Sequence, residues 1–207
     1  MTSDRLYRRT WLLFLLEGVE RAGRSPIELK QLHALAYLAN ALSPCYGIES
    51  VDATVLKEKA GPLYPELIWD ADRLVGMGLL SVSNLVVDEH AELRSACYSI
   101  TTRGLGLTSS VAFRSDLLGT TARALQSVAL AYARNPGSVL EQNLLQRDGN
   151  YADPHFGLGD VVDFGEWDPQ NASANAVARI RKATNDHLAP SASVNLYAQY
   201  LALPEGG

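Results

Sequence analysis

The stretch from Ala60 to Leu80 constrains the fold more than any other part of the sequence. Gly61-Pro62 interrupts the chain, and Pro65 suits the first turn of a helix, where its missing N–H has no partner to lose. The residues that recur at helical spacing and form one apolar face are Leu67, Ile68, Ala71, Leu74 and Val75. Gly76 and Gly78 predict the end of this helix, and Gly78 suits a left-handed cap.

The residues after this helix predict a β-hairpin. Leu80 to Val87 is rich in β-forming residues and partly alternating, Asp88-Glu89-His90 is typical of a turn, and Leu93 to Ile100 is a second strand. A helix followed directly by a hairpin is the core arrangement of a winged helix. We therefore expect a mainly α fold with a small antiparallel β-hairpin, in which residues 1–110 are winged-helix-like and residues 111–207 form a helical region.

The rest of the chain is predicted to be largely helical. Ser25-Pro26-Ile27-Glu28 resembles a helix start with Ser25 as N-cap, and a short helix is expected around Val55 and Leu56. The other predicted helices cover about 4–22, 111–134 and 172–188, with a short one from Ser138 to Gln146 and a last one around Val194 to Leu201. The first of these is apolar on nearly all sides at its centre, which indicates a core helix rather than an oligomer seam.

Composition narrows the class of protein. The chain has 207 residues, is 47% hydrophobic and 20% charged, and carries a net charge of −5, which disfavours a general nucleic-acid binder. Cys45 and Cys97 fit buried free thiols in a reducing cytosol and predict neither a disulfide framework nor a metal cluster. The apolar run from Trp11 to Leu16 is too short to span a bilayer and lacks a small-residue cleavage site after it, so we expect a cytoplasmic protein without membrane contact.

The segment 147–170 is the main candidate for chemistry. Aromatic residues alternate in it with six acidic side chains and a histidine, which are Asp148, Asp153, His155, Asp160, Asp163, Glu166 and Asp168. Clustered carboxylates can bind a divalent cation or act in acid–base catalysis, as a hydrolase using Asp160 and Asp163 would require. The spacing matches no calcium or zinc pattern, however, and no nucleophile motif occurs. We favour a solvated or partner-binding loop, and predict no catalytic residue, cofactor or metal.

A winged helix raises the possibility of DNA binding through the helix that precedes the hairpin. That helix offers Glu66, Asp70 and Asp72 against Arg73, and acids on a groove-facing surface would be repelled by phosphates. The alternative is that the protein is a DNA-binding or antitoxin-like regulator that contacts nucleic acid directly. These charges do not favour it. A winged helix that serves as a protein-interaction module fits these charges better.

Two stretches carry a family resemblance. Leu29 to Asn40 (LKQLHALAYLAN), followed by Gly61-Pro62-Leu63-Tyr64 and a Leu-rich helix, is similar to the pattern of Panacea or SocA-like antitoxin domains. Gly61 to Pro65 running into WDADRLVGMGL (69–79) resembles the middle component of bacterial ABC-three-component systems, which include the small subunit of Lamassu-type anti-phage defence. The similarity covers roughly residues 25–105.

The resemblance implies a non-catalytic adapter that bridges an SMC-like ABC ATPase and an effector such as a nuclease. It supplies no catalytic residues to carry over. Aromatic and Arg side chains dominate interface energies, so we expect the partner-binding residues to be among Leu63, Tyr64, Trp69, Arg73, Phe156, Phe164 and Trp167. Leu63 and Trp69 fit a place in the core equally well.

Overall fold

The structure, a computed structural model, describes residues 2–87, 93–135, 146–165, 171–184 and 187–203. Its helices are α1 (Thr2–Arg21), α2 (Leu29–Leu42), α3 (Pro65–Gly76), α4 (Thr102–Ala112), α5 (Asp116–Ala133), α6 (Ala172–Ala183) and α7 (Pro190–Ala202), with a 3-10 turn at Ser43–Tyr46. Its strands are β1 (Ile27–Glu28), β2 (Thr54–Glu58), β3 (Gly61–Leu63), β4 (Leu80–Val87), β5 (Leu93–Ile100) and β6 (Val161–Asp163). The mainly α prediction is confirmed.

The core is built around α1 and α2. Residues 11–19 of α1 are all buried, as the all-round apolar pattern predicts, and residues 32–42 of α2 are buried as well. α1 packs against α3, α4, α5 and β5, while α2 contacts α5 and α6. One apolar cluster therefore includes side chains from both 1–110 and 111–207.

The predicted helix and hairpin both form. Leu67, Ala71 and Leu74 are the buried face of α3, and Gly78 adopts a left-handed φ of 69° just after it. β4 and β5 pair antiparallel from Leu80 opposite Ile100, and β1 adds to the other side of β5, giving the order β1-β5-β4. The predicted turn at 88–90 lies outside the described residues, and the winged-helix assignment stays a prediction.

The predicted helix start at Ser25 is wrong. Ile27 and Glu28 form β1 and pair with Tyr98 and Cys97, so α2 begins only at Leu29, with Glu28 in the N-cap position and no side-chain cap. The partner strand lies about 70 positions further along the chain. Tertiary pairing with β5 thus overrides a favourable local capping pattern.

The short helix predicted around Val55 and Leu56 is also wrong, because Thr54–Glu58 is the central strand of a second sheet, β3-β2-β6. Val55 pairs with Val162 and Glu58 pairs with Gly61, both antiparallel. The sheet joins the N-terminal region to the loop at 147–170, which is why local pattern did not reveal it.

Two further boundaries differ from prediction. The helix expected over 111–134 begins only at Asp116, since Val111 and Ala112 are the end of α4. Ser115 accepts a hydrogen bond from the Leu118 N–H at 3.2 Å and so caps α5 as a separate helix. α6 ends at Ala183 rather than near 188. Most of the short helix predicted for 138–146 lies outside the described residues.

Candidate interaction surface

The exposed face of α3 is formed by Glu66, Trp69, Asp72 and Arg73, opposite its buried apolar stripe. Tyr64 is extended and Pro65 begins the helix, so the backbone enters α3 directly from β3. Trp69 and Arg73 are four residues apart and share one side of the helix. Trp69 is 65% exposed, unusually open for a side chain that large.

Two arginines of α1 hold α3 in place. The Asp70 carboxylate is almost fully buried and accepts hydrogen bonds from Nε of Arg8 and, at 2.9 Å, from Nε of Arg9. Arg8 also contacts Glu66 at 3.0 Å. Asp70 therefore does not belong to the exposed acidic surface that the sequence suggested. Sequence reasoning missed this cluster, since its members lie about 60 residues apart.

The predicted contact residues occupy different environments. Trp69 and Arg73 are exposed, and Leu63 and Phe156 are half-buried. Tyr64 and Phe164 are only 3% and 4% exposed, so their side chains belong to the core and offer no surface to a partner in this conformation. Trp167 lies outside the described residues. The structure thus brings Trp69 and Arg73 together on one face and separates both from Phe164.

His33 connects the start of α3 to α2. Its Nδ1 accepts the backbone N–H of Tyr64 at 3.2 Å, which leaves the proton of the neutral ring on Nε2. Nε2 itself is buried with no hydrogen-bond partner among the described residues. Burial lowers the pKa of His33 to about 4, because the charged ring would lose its hydration without gaining an anionic partner.

We expect the free energy of unfolding to fall by roughly 2–3 kcal/mol between pH 7 and pH 4 on account of His33. The unfolded chain takes up a proton near the ordinary value of 6.5, whereas the folded chain resists it down to about 4. The contribution of His33 is therefore complete above pH 6.5 and is lost as the pH falls through this window. Urea denaturation across the window measures it.

The matched comparison for this prediction is His33→Gln against His155→Gln. Glutamine keeps a hydrogen-bond acceptor but does not titrate, so the first variant should flatten the pH dependence over the stated window. His155 is an exposed histidine, and its replacement should leave the pH dependence associated with His33 in place. Equal pH dependence in His33→Gln and the parent protein would contradict the prediction.

The described part of the loop at 147–170, residues 147–165, is held to β2 by hydrogen bonds from the side chain and the backbone of Lys57. The Lys57 ammonium donates to the carbonyl oxygens of Phe156 at 2.9 Å and Asp153 at 3.3 Å. The Lys57 backbone exchanges hydrogen bonds with Gly159 and Asp160. The ring of Phe164 meets Tyr37 edge-on, with centroids 5.6 Å apart. These contacts place the loop on the body of the protein.

Three of the carboxylates in this loop stabilise turns by accepting hydrogen bonds from nearby backbone N–H groups. Oxygens of Asp153, Asp160 and Asp163 accept the backbone N–H groups of His155, Gly157 and Gly165, at 2.9, 2.7 and 2.8 Å. Within the described ranges, no group of three or more His, Cys, Asp or Glu side chains is arranged to hold a metal ion. Glu166 and Asp168 lie outside those ranges.

Asp148 differs from the other acids of the loop because it is fully buried. One oxygen accepts from the Tyr37 hydroxyl and the N–H groups of Asn150 and Tyr151, and the other accepts from the Ser173 and Tyr197 hydroxyls, both at 2.7 Å. Burial and the neighbouring carboxylate raise the pKa of Tyr37 and Tyr197, which keeps both phenols protonated as donors. The network ties α2, α6 and α7 to the loop.

The hairpin offers no complementary charge for DNA on its outer strand. Ser81 to Val87 are all exposed, and none of these seven residues is charged. Arg73 on α3 and Arg103, whose guanidinium lies near Gly78, are exposed. With Glu66 and Asp72 also exposed on α3, little net positive charge is left at this described surface to neutralise phosphates.

Comparison with known proteins gives no family assignment: no family model matches this chain, and no curated protein matches it. The resemblance to ABC-three-component middle components therefore remains a prediction from the residues that carry it. Across the described part of the chain, no helix is both long enough and apolar enough to cross a membrane.

Proposed function

We propose that this protein is a non-catalytic adapter subunit of an anti-phage defence complex. In this proposal it works in the cytoplasm and bridges an SMC-like ABC ATPase and an effector such as a nuclease. The observation that carries the proposal is the exposed Trp69 beside Arg73 on α3, within the stretch whose sequence resembles the family.

The physical argument concerns energy and rigidity. Trp and Arg are the residues most enriched among those that dominate binding energy. A large indole left 65% exposed has much apolar area still to bury. Since Arg8 and Arg9 fix Asp70 on the same helix, α3 would present Trp69 without a large ordering cost on binding.

The alternative is a DNA-binding or antitoxin-like regulator, which the succession of α3 and the hairpin favours. It requires a surface that attracts phosphates, whereas α3 exposes Glu66 and Asp72 against Arg73, and the exposed part of β4 is uncharged. We therefore favour the adapter.

The test is co-purification of the tagged protein with the products of its two flanking genes, followed by mass measurement of the intact complex. We expect a stable complex containing an ATPase, and we expect Trp69→Ala to weaken it by at least about thirtyfold, as loss of a central aromatic anchor does. Arg73→Ala should act in the same direction.

Phe113→Ala is the matched control, because Phe113 is an aromatic side chain that is 91% exposed but lies just after α4. It should leave complex formation unchanged. The adapter proposal fails at this surface if the protein purifies without the products of its flanking genes. It also fails if Trp69→Ala and Phe113→Ala have the same effect on complex formation. Salt-dependent binding to duplex DNA would then support the alternative.

A further inference from the structure

A second surface, which involves none of the α3 residues, is a cleft between the turn at 147–150, α6 and α7. Its walls include Arg147, Gly149, Asn175, Arg179, Tyr197 and Tyr200. The cleft has a volume of about 470 Å³, which is within the range of pockets that hold small molecules.

The charge around this cleft is opposite to that of the chain as a whole. The described lining residues include two arginines, Arg147 and Arg179, and no acid, in a protein of net charge −5. The described parts of α6 and α7 contain no acid. The acid of the 147–150 turn, Asp148, is fully buried and accepts hydrogen bonds on both oxygens. No carboxylate of these three described elements therefore opposes an anion in the cleft.

Two guanidinium groups line the cleft. Arg147 donates to the Tyr200 carbonyl oxygen at 3.2 Å, and its guanidinium lies 5.9 Å from the centre of the Tyr200 ring. The Arg179 side chain is exposed, and no hydrogen bond or ion pair joins its guanidinium to a described residue. Asn175 lies one turn before Arg179 on the same side of α6, which adds an exposed amide to the same wall.

The floor of the cleft is held rigidly. The Tyr197 hydroxyl donates to the buried Asp148 at 2.7 Å, and the Tyr197 and Tyr200 rings stack with centroids 6.3 Å apart. The 147–150 turn lies so close to α6 that a Cβ at Gly149 would meet the Ala172 Cβ at 2.7 Å. A cleft positioned by packing and buried hydrogen bonds needs little reorganisation to bind a ligand.

We propose that this cleft binds the phosphate group of a nucleotide or of a single-stranded nucleic acid. Arginine matches phosphate geometry through its planar array of donors. Tyr200, 49% exposed, adds aromatic surface beside the arginines, the combination that recurs where bases and their phosphates bind together. An acidic peptide would satisfy the cations but make no use of the ring, so we favour the nucleotide-type ligand.

The experiment measures binding of the full chain to two probes at low salt. One probe is a fluorescein-labelled twelve-nucleotide oligo-dT, followed by anisotropy, and the other is a fluorescent ATP analogue. Arg179→Ala should lower the affinity for the probe that binds by roughly tenfold or more, as loss of a charged hydrogen bond does. Arg114→Ala removes another exposed arginine, just after α4, and should change affinity less than twofold.

The outcomes separate the possible sources of the phosphate. Binding of oligo-dT without the nucleotide identifies a nucleic-acid strand, and its salt slope should fall in Arg179→Ala; binding of the nucleotide identifies a mononucleotide site. Binding of neither probe, or equal losses in the two variants, overturns the proposal. Polyglutamate that displaces oligo-dT at equal charge concentration also overturns it, because the cleft would then recognise carboxylates.

Discussion

Replacing Asp148 with alanine is expected to lower the free energy of unfolding by about 3–5 kcal/mol, the cost typical of breaking a buried charged network. The carboxylate accepts five hydrogen bonds from within the core. Its loss leaves the hydroxyls of Tyr37, Ser173 and Tyr197 buried without their acceptor, and each pays its desolvation cost. Urea denaturation should show this as a large decrease in the midpoint.

Asp72→Ala is the matched control for this experiment. Asp72 is an exposed aspartate on α3, and its replacement should change the free energy of unfolding by no more than about 0.5 kcal/mol. If Asp148→Ala were as mild as the control, the carboxylate would not be the organising group of this part of the core, and the rigid floor inferred for the Arg147–Arg179 cleft would lose its physical basis.

Replacing Gly104 with alanine is expected to destabilise the protein by about 3 kcal/mol, at the upper end of the usual cost of overpacking. A Cβ at this position would lie 2.4 Å from the Leu79 carbonyl oxygen and 2.7 Å from Cγ1 of Ile100. The Leu79 oxygen is not free to move away, since it accepts the Thr101 backbone N–H at 3.0 Å and the Thr101 hydroxyl at 3.1 Å. The close approach of α4 to the base of the hairpin therefore requires glycine.

We expect the opposite effect on stability from the same substitution at Gly106, which lies in the same helix. A Cβ there meets nothing within 4 Å, so Gly106→Ala should stabilise the protein by roughly 0.5–1 kcal/mol through helix propensity. The two variants change the same residue type two positions apart, and thermal unfolding should shift in opposite directions. Shifts of the same sign would show that α4 does not pack on the hairpin as described.

The local patterns that predicted structure well were those whose determinants lie close together in the chain. The apolar stripe of α3, Pro65 at its start, Gly78 after its end and the two β-rich runs of the hairpin all act within a few residues of one another. The buried centre of α1 was predicted for the same reason, because an apolar surface around the whole helix has to be covered.

The patterns that misled were local signals outweighed by distant partners. Ser25-Pro26-Ile27-Glu28 has the composition of a helix start, but β5 offers Ile27 and Glu28 a strand to pair with. Val55 and Leu56 join a sheet completed by β6, more than 100 residues later. Asp148 was grouped by sequence with the solvated acids of its loop, although the fold places it among five donors.

The candidate surfaces divide in the same way. The sequence by itself offered Trp69 and Arg73 among seven candidate contact residues, together with the acidic balance of α3, because residue type and helical spacing are local properties. Only the tertiary structure decided that Tyr64 and Phe164 are core, that Arg8 and Arg9 neutralise Asp70, and that Arg147 and Arg179 line one cleft. Burial and charge pairing depend on which distant segments the folded chain brings into contact, and no window of sequence contains that information.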